Sequence, residues 1–438
     1  MRRSGESTRY LINEALSLLT RLNQMKPFGL TMPMVSAASV SDEALKGITD
    51  LLMDGNRELN DRVWAFIDLM KSNKSRHMSA SDAQGQFSII KLRLNELLDQ
   101  LDIFADVLSQ RSEHETGVWV AGLDVLAESA LDLPGKFFDP PPIICFLERG
   151  HGAAIRRART KLPGGDENPV AIIQIPRERM VGSGIASSLI HEVGHQGAAL
   201  LDLVTSLRTA LKHKQQVDKA NAQAWVLYSF WISEIIADFW AIAHLGIGAT
   251  QGLINVVSLP RYFVFRIGKN DPHPFAWIRV KISIAFGKVL YPHAQWKRVE
   301  KQWEELYPKK GLKKPVLDII AGLEKVLPEF AQMVCNHKTK ALKGLRLKEV
   351  FPYKHRQPDE LRFLYNSWRH SPHLIAKAPP SLVFAVIGQA RADTTIDALT
   401  ESRILMRLLS KWALIRSESR SIKESKRIMG SFKKYISV

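Results

Sequence analysis

Apolar residues recur every three or four positions through much of the first 130 residues, which is the spacing of one face of an α-helix. Two stretches show this spacing clearly: Leu11, Ile12, Ala15, Leu16, Leu19 and Leu22, and then Ile90, Leu94, Leu97, Leu98, Leu101, Phe104 and Leu108. Turn-like sequence lies between them, around Met32 and Pro33 and around residues 71–74. This pattern predicts a bundle of amphipathic helices.

The pattern changes after a proline-rich break at residues 133–142. Two short runs rich in β-branched residues follow, at 143–147 and 170–175, and both predict β-strands. A turn cluster at 161–168 precedes the second run. Helical spacing returns from about Ile185 and continues to the end of the chain.

The predicted fold class is therefore α+β and mostly α, with a small sheet beside helices. The length of 438 residues allows more than one domain with its own core. We expect an N-terminal helical domain at residues 1–132, a central α+β domain at 133–298 and a helical C-terminal region at 299–438.

Composition narrows the class of protein. Hydrophobic residues make up 45% and charged residues 24% of the chain, which excludes wholesale disorder. Only two cysteines occur, Cys145 and Cys335, too few for a disulfide framework or a thiolate zinc cluster. The N-terminus is a poor signal peptide, and polar residues and a proline interrupt the most apolar region, 235–265. We expect a soluble cytoplasmic protein.

Positive charge is concentrated at the C-terminal end. The formal net charge is +17, and residues 297–438 carry 29 Lys and Arg against 14 Asp and Glu. One interpretation is a surface for an anionic partner, either nucleic acid or a membrane surface. The other is a solvated helical face, because no interleaved aromatic residues or nucleic-acid motif accompany the charge.

The segment Ser187–Gly197 holds the first group of residues that indicates chemistry. His191 and His195 lie four positions apart on a predicted helix, so both imidazoles reach one zinc ion. Glu192 lies about 100° around the helix, where it can accept a proton from a water on the zinc without being a ligand. Gly194 and Gly197 allow another backbone to approach. Buried histidines without a metal are the alternative interpretation.

A second apolar helix, 39 residues after His195, carries Glu234 and Asp238. Carboxylates on an apolar face are costly unless they are paired or bind a metal, and residues four positions apart project together. Glu234 would complete a His/His/Glu zinc site, and Asp238 would accept the other ring N–H of a ligand histidine, most simply His191. The alternative is a structural pair of carboxylates bonded to Arg or Lys.

A third segment contains His273 between two prolines and Arg279 six residues later, where a helix begins. The prolines hold the histidine in an extended loop. An imidazolium there would stabilise an oxyanion, while Arg279 would orient a substrate carbonyl or neutralise a carboxylate such as Asp238. A loop histidine and a surface arginine remain the alternative.

Taken in order, these three motifs resemble those of the gluzincin metallopeptidases, and most closely the M48 group, the Ste24/HtpX-like endopeptidases. The resemblance covers about residues 140–295. It implies a gluzincin-like zinc core and a zinc-dependent peptidase. The residues that would serve it are the Zn²⁺ ligands His191, His195 and Glu234, the general base Glu192, the supporting Asp238, and the substrate-binding pair His273 and Arg279.

The resemblance also implies a sheet edge that pairs with extended substrate, for which Gly152–Ile155 is the candidate. The transmembrane helices of the integral-membrane members are missing from the pattern, which leaves substrate and location open. The remaining histidines show no ligand spacing and are interpreted as structural or surface residues, among them His151, His213, His244, His293, His370 and His373.

The function predicted from the sequence is hydrolysis of peptide bonds in a peptide or protein substrate, by a zinc-activated water with Glu192 as base. Two alternatives remain. One is a gluzincin-fold protein with a regulated or structural zinc site that acts through a partner. The other is a basic helical protein that binds nucleic acid or an anionic membrane surface. The helical flanks also leave room for a homo-oligomer or a regulatory protein.

Overall fold

The computed structural model describes residues 5–73, 77–149, 152–177, 182–268 and 270–436. The protein is mostly helical with a small three-stranded sheet, which confirms the predicted mostly-α α+β class. His151 lies outside the described residues. Both cysteines lie in the described part of the chain, where they are buried and not joined in a disulfide.

The secondary structure follows the chain in three stretches. The first helices are α1 (Gly5–Leu22), α2 (Phe28–Thr31), α3 (Asp42–Lys71), α4 (Ala80–Ser109) and α5 (His114–Leu131). The strands are β1 (Ile143–Glu148), β2 (Ala154–Arg156) and β3 (Ala171–Pro176). The later helices are α6 (Ser183–Leu200), α7 (Leu203–Val217), α8 (Ala222–Leu245), α9 (Ile247–Val257), α10 (Arg261–Val264), α11 (Ala276–Leu290), α12 (Gln295–Leu306), α13 (Lys314–Cys335), α14 (Pro358–His370), α15 (Pro380–Ala392) and α16 (Ala398–Ile436).

The strands pair in the order β1-β3-β2, so β2 is an edge strand. The side chains of β1 and β3 are almost all buried, as expected for two short apolar runs bounded by turns. The side chains of β2 are exposed or half-buried. Gly152–Ile155, predicted as a sheet edge, therefore leads into and overlaps the edge strand.

The chain divides into two compact units. The first consists of Met1–Val118, Pro141–Phe146 and Arg156–Ile172, and the second of Trp119–Pro140, Leu147–Ile155 and Ile173–Val438. The predicted division into 1–132, 133–298 and 299–438 stays a prediction.

The first unit is built on α1, α3 and α4, which pack on one another through one apolar face each. Ser41 and Ser79 precede α3 and α4, and their hydroxyls accept the backbone N–H of the third helical residue, which stabilises each helix start. Most residues of the predicted apolar stripes are buried. Leu16 and Leu98 are exposed, because the buried face is narrower than the apolar stripe.

The second unit is centred on α8. From Trp231 to Leu245 nearly every side chain of this helix is buried, because α6, α7, α9, α11 and α15 pack around it. Among the described residues one helical stretch, Lys219–Leu245, is long and apolar enough to cross a membrane, with a mean hydropathy of 1.4 over an 18-residue window. Of its most apolar window, 67% is buried inside the protein, so its apolar character is that of a core helix.

The basic C-terminal region is helical, as expected, and α16 packs on α15. Leu405, Leu409 and Trp412 bury one face of α16, whereas Lys423 and Lys426 further along are exposed. These two lysines are therefore solvent-exposed. Binding of an anionic partner by this region stays a prediction.

Candidate metal centre

Close packing of α6 against α8 creates the candidate site. A methyl group added at Gly194 would lie 2.9 Å from the Ala237 Cα, and one at Gly197 would lie 2.2 Å from the Trp240 ring. These separations are shorter than van der Waals contact, so only glycine fits at both positions. The close approach expected at the two glycines is therefore present, and it brings the polar residues of α6 and α8 together.

His191, His195 and Glu234 converge on one point between these helices. Nε2 of His191 lies 3.2 Å and Nε2 of His195 lies 3.5 Å from the same oxygen of Glu234, Oε2. One donor atom from each residue lies within 4.8 Å of the other two. Glu234 follows the two histidines by 43 and 39 positions along the chain, and packing of α6 on α8 brings it to them.

The spacing of these atoms can be compared with that of a zinc site. Four-coordinate zinc binds His nitrogen and carboxylate oxygen at about 2.0–2.2 Å, which sets neighbouring ligand atoms about 3.3–3.5 Å apart in a tetrahedron. The two separations from Glu234 Oε2 agree with this value. Two imidazole nitrogens and one carboxylate oxygen are also a donor set that suits zinc, so the residues fit the ion.

Behind the cluster, Asp238 connects His191 to Arg279. The Nδ1 atom of His191 lies 2.8 Å from Asp238 Oδ1, which is the hydrogen bond predicted from the sequence. Arg279 donates to both oxygens of the same carboxylate, from Nε at 2.7 Å and from Nη2 at 2.8 Å. Of the two roles considered for Arg279, the structure contains the contact with Asp238.

This arrangement fixes the charge states of the group. Burial opposes ionisation of Asp238, but Arg279 and His191 hold its pKa well below the usual range. Burial also disfavours the protonated form of His191, yet the carboxylates of Asp238 and Glu234 raise its pKa to about 9. An ionised Asp238 accepts a hydrogen bond from the Nδ1–H group of His191, and this bond holds Nε2 toward Glu234.

Glu234 is held as a carboxylate by the histidines around it. Burial opposes its ionisation, but hydrogen bonds from His191, His195 and His273 lower its pKa strongly. An ionised oxygen at the centre of three imidazoles is a strong potential metal ligand.

A cavity of about 130 Å³ opens beside the cluster. Its lining combines site residues with small and apolar ones: Gly152, Ala153, Ser187, Ser188, His191, Glu192, Asp238, Leu253, Val256, His273 and Arg279. Glu192 is buried and faces this cavity. The cavity therefore gives space for a small group next to both His191 and Glu192.

His273 stands at the more open side of the site, where its side chain is half exposed. Its Nε2 lies 3.1 Å from Glu234 Oε2, and its Nδ1 lies 3.0 Å from Asp271 Oδ1. The hydrogen bond to Glu234 raises the pKa of His273, with burial acting against it and the Asp271 hydrogen bond adding to it. The structure thus places an imidazole that favours its cationic form beside the cluster.

Some residues of the site were not assigned a role from the sequence. Asp271 orients His273, and its position two residues earlier in an Asp-Pro-His turn is the signal that could have revealed it. Ser187 and Ser188 precede His191 by one helical turn, so helix geometry alone puts them on its face. Leu253 and Val256 come from α9, and no local pattern relates them to the site.

Comparison of the chain with protein-family models, with curated protein sequences and with solved structures found no match. The function is therefore inferred from the side chains and their geometry.

Proposed function

We propose that the protein is a zinc-dependent peptidase of the gluzincin type. The observation that carries this proposal is the convergence of His191, His195 and Glu234 on one point, next to a cavity that His191 and Glu192 both line. A structural zinc site normally has four protein ligands and no open position, whereas three ligands beside a cavity leave room for water and substrate.

The three ligands would hold the ion, and the other residues would support them. When bound, zinc would supply a Lewis acid that polarises a carbonyl and lowers the pKa of water. Asp238 holds the Nδ1 proton of His191, so that Nε2 is the nitrogen that would give up its proton and ligate a metal. Arg279 keeps Asp238 ionised and fixes its two oxygens in place.

Glu192 would act as the general base and then as the acid. Its carboxylate lies in the cavity, next in sequence to a ligand but outside the ligand cluster. From there it would accept a proton from the attacking water and deliver it to the leaving amine. Because this carboxylate is buried, few other water molecules compete with it, and its electrostatic interactions during the two proton transfers would be stronger.

His273 would complete the site on the substrate side. Its contact with Asp271 orients the ring, and the cationic form is favoured by Glu234. A fixed imidazolium beside the ligand cluster would stabilise the negative charge that develops on a carbonyl oxygen during attack.

The walls of the cavity favour an extended peptide as substrate. Gly152 and Ala153 line the cavity, and they lead directly into the edge strand β2. An edge strand offers unpaired backbone groups, so a substrate in extended conformation would gain main-chain hydrogen bonds there.

Metal content tests the first part of the proposal. We expect about one zinc per chain in protein purified without added metal, and loss of that zinc in His191→Ala and in Glu234→Ala. His213, exposed on α7, provides the matched control, because His213→Ala removes an imidazole from the same unit without touching the cluster. Zinc that is absent, or retained in both ligand variants, would contradict the site.

Activity tests the second part. We expect cleavage of an unfolded protein substrate, read by the new N-termini it produces, and loss of this cleavage on chelation. Glu192→Gln should keep the zinc and lose the cleavage, since it preserves size and removes only the base. Equal cleavage by the zinc-loaded wild type and zinc-loaded Glu192→Gln would refute the mechanism while leaving the metal site intact.

A further inference from the structure

The segment joining α9 to α11 exposes large apolar side chains. Leu259, Tyr262 and Phe263 are 50%, 71% and 47% exposed. The rings of Tyr262 and Phe263 contact each other edge to face, with their centroids 5.3 Å apart. Single exposed apolar residues are common on protein surfaces, but a contiguous group at one place marks an interaction site.

The loop between α12 and α13 packs beside this segment and holds it in position. Arg261 donates to Pro308 O at 2.5 Å and to Lys310 O at 2.6 Å. The hydroxyl of Tyr307 donates to Leu259 O at 3.0 Å. The exposed side chains therefore stand on a backbone that several hydrogen bonds fix.

This loop, with the helix residues on either side of it, adds a fourth apolar side chain and several cations. Leu306 is 58% exposed. Residues 258–268 and 306–316 contain no Asp or Glu, whereas both hold Lys or Arg. We call the whole group the α10 surface: Leu259, Tyr262, Phe263 and Leu306, with Arg261, Arg266, Lys310, Lys313 and Lys314.

We propose that the α10 surface binds the surface of an anionic phospholipid membrane. Tyrosine and other aromatic side chains are favoured at the membrane–water interface, where an apolar ring and a polar end are both satisfied. Cations that surround such an apolar group gain attraction from anionic headgroups. The apolar side chains would enter the headgroup region while the lysines and arginines remain at its surface.

Charge composition favours a membrane over a protein as the partner. Protein interfaces are depleted in lysine, and their buried centres lose charged groups. The α10 surface contains Lys310, Lys313 and Lys314, all exposed, and none of them has an acidic neighbour within residues 306–316. A surface rich in phosphate and carboxylate groups complements this charge better than a protein patch of mixed sign.

The position of this surface links it to the candidate site. Leu253 and Val256 of α9 and Arg279 of α11 line the cavity, and the aromatic part of the α10 surface, Tyr262 and Phe263, lies on the chain that joins these two helices. Binding to lipid does not require the zinc chemistry, so this inference stands or fails independently of the proposed activity.

Co-sedimentation of the full chain with lipid vesicles tests the inference. We expect binding to vesicles of phosphatidylcholine mixed with phosphatidylserine, and much weaker binding to phosphatidylcholine alone. Lys310→Gln and Lys313→Gln should each lower the partition coefficient about five-fold on the anionic vesicles. Tyr262→Ser should lower it by a similar factor of about five.

A matched control separates this surface from apolar exposure in general. Phe363 on α14 is 65% exposed, so Phe363→Ser removes an exposed aromatic side chain elsewhere in the same unit. It should leave vesicle binding unchanged. Because Tyr262 is so exposed, its variant should unfold at the wild-type temperature, and a thermal scan checks that.

Several results would overturn the inference. One is wild-type protein that does not sediment with anionic vesicles. Another is binding that survives Tyr262→Ser but is lost in Lys423→Gln with Lys426→Gln, because the C-terminal helix would then bind the lipid. A third is a homodimer that Tyr262→Ser dissociates while vesicle binding is unchanged, because the surface would then be a protein interface.

Discussion

Replacing Gly197 by alanine tests the contact that joins the two halves of the candidate site. The added methyl group would lie 2.2 Å from the Trp240 ring, whereas carbon atoms in contact are about 3.5–4.0 Å apart. The shortfall is therefore about 1.3–1.8 Å. Trp240 has little room to move, since it is fully buried and its indole N–H donates to Ala130 O at 2.9 Å.

The expected consequence for stability follows from overpacking. Adding a methyl group to a filled core costs about 1–3 kcal/mol, and the higher helix propensity of alanine returns about 1 kcal/mol. Gly197→Ala should therefore lower the free energy of unfolding by up to about 2 kcal/mol. Chemical denaturation monitored by tryptophan fluorescence measures this change.

The expected consequence for the metal is larger. His195 Nε2 lies 3.5 Å from Glu234 Oε2, and two ligands of one zinc ion cannot be more than about 4.3 Å apart. If α6 and α8 separate by the full shortfall, the distance from His195 Nε2 to Glu234 Oε2 becomes about 5 Å, and these two atoms can no longer bind one ion. We expect zinc affinity to fall at least about ten-fold, as a competition titration with a chromogenic chelator would show.

Gly184 in the same helix supplies the control. Within the described residues, and apart from its chain neighbours and the helix's own backbone, no atom lies within 4 Å of a methyl group placed there, so Gly184→Ala should keep both stability and zinc affinity. If Gly197→Ala matches the wild type in both measurements, the α6–α8 contact does not set the geometry of the site.

Three further predictions concern single charged groups. Asp238→Asn should weaken zinc binding about 10–100-fold, measured by the same titration, because the ligand histidine loses its orienting carboxylate. Lys281→Met should destabilise the protein by about 1–3 kcal/mol in urea, since Glu304 loses the cation 2.5 Å away and Glu300, 2.6 Å away, is left with Lys288. At Asp166 burial raises the pKa, but hydrogen bonds, one from Arg93, lower it overall. The ionised carboxylate therefore adds to the free energy of unfolding above about pH 4, and this contribution is lost as the pH falls below that value. In Asp166→Asn the free energy of unfolding, measured by denaturation at several pH values, should fall less steeply below about pH 4, on the acid limb of its pH dependence.

Each of these predictions has a result that contradicts it. An Asp238→Asn protein that binds zinc as tightly as the wild type would show that this carboxylate does not support the ligand. Lys301→Met, which breaks an exposed ion pair with Glu305, is the control for Lys281→Met and should change the free energy of unfolding by less than about 0.5 kcal/mol. Equal effects of the two substitutions would show that burial of Lys281 does not strengthen its ion pairs. An unchanged acid limb in Asp166→Asn would show that its ion pair is energetically neutral.

The sequence determined the parts of this protein that depend on local geometry. Helical spacing predicted α1, α4 and the helices after residue 183, and β-branched runs predicted β1 and β3. Residues four positions apart on a helix share a face whatever else the chain does, so the pairs His191 with His195 and Glu234 with Asp238 were predictable.

Only the tertiary structure decided how these local elements meet. Arg279 had two roles open to it, and the packing of α11 on α8 placed it on Asp238. Leu16 continued an apolar stripe, yet the neighbouring helices leave it in solvent. The exposure of the apolar residues of the α10 surface was likewise decided by packing. Their segment is held by contacts with residues more than 40 positions away, such as the hydrogen bonds from Arg261 to Pro308 and Lys310. Burial and distance are properties of packing between distant segments, and no local pattern carries them.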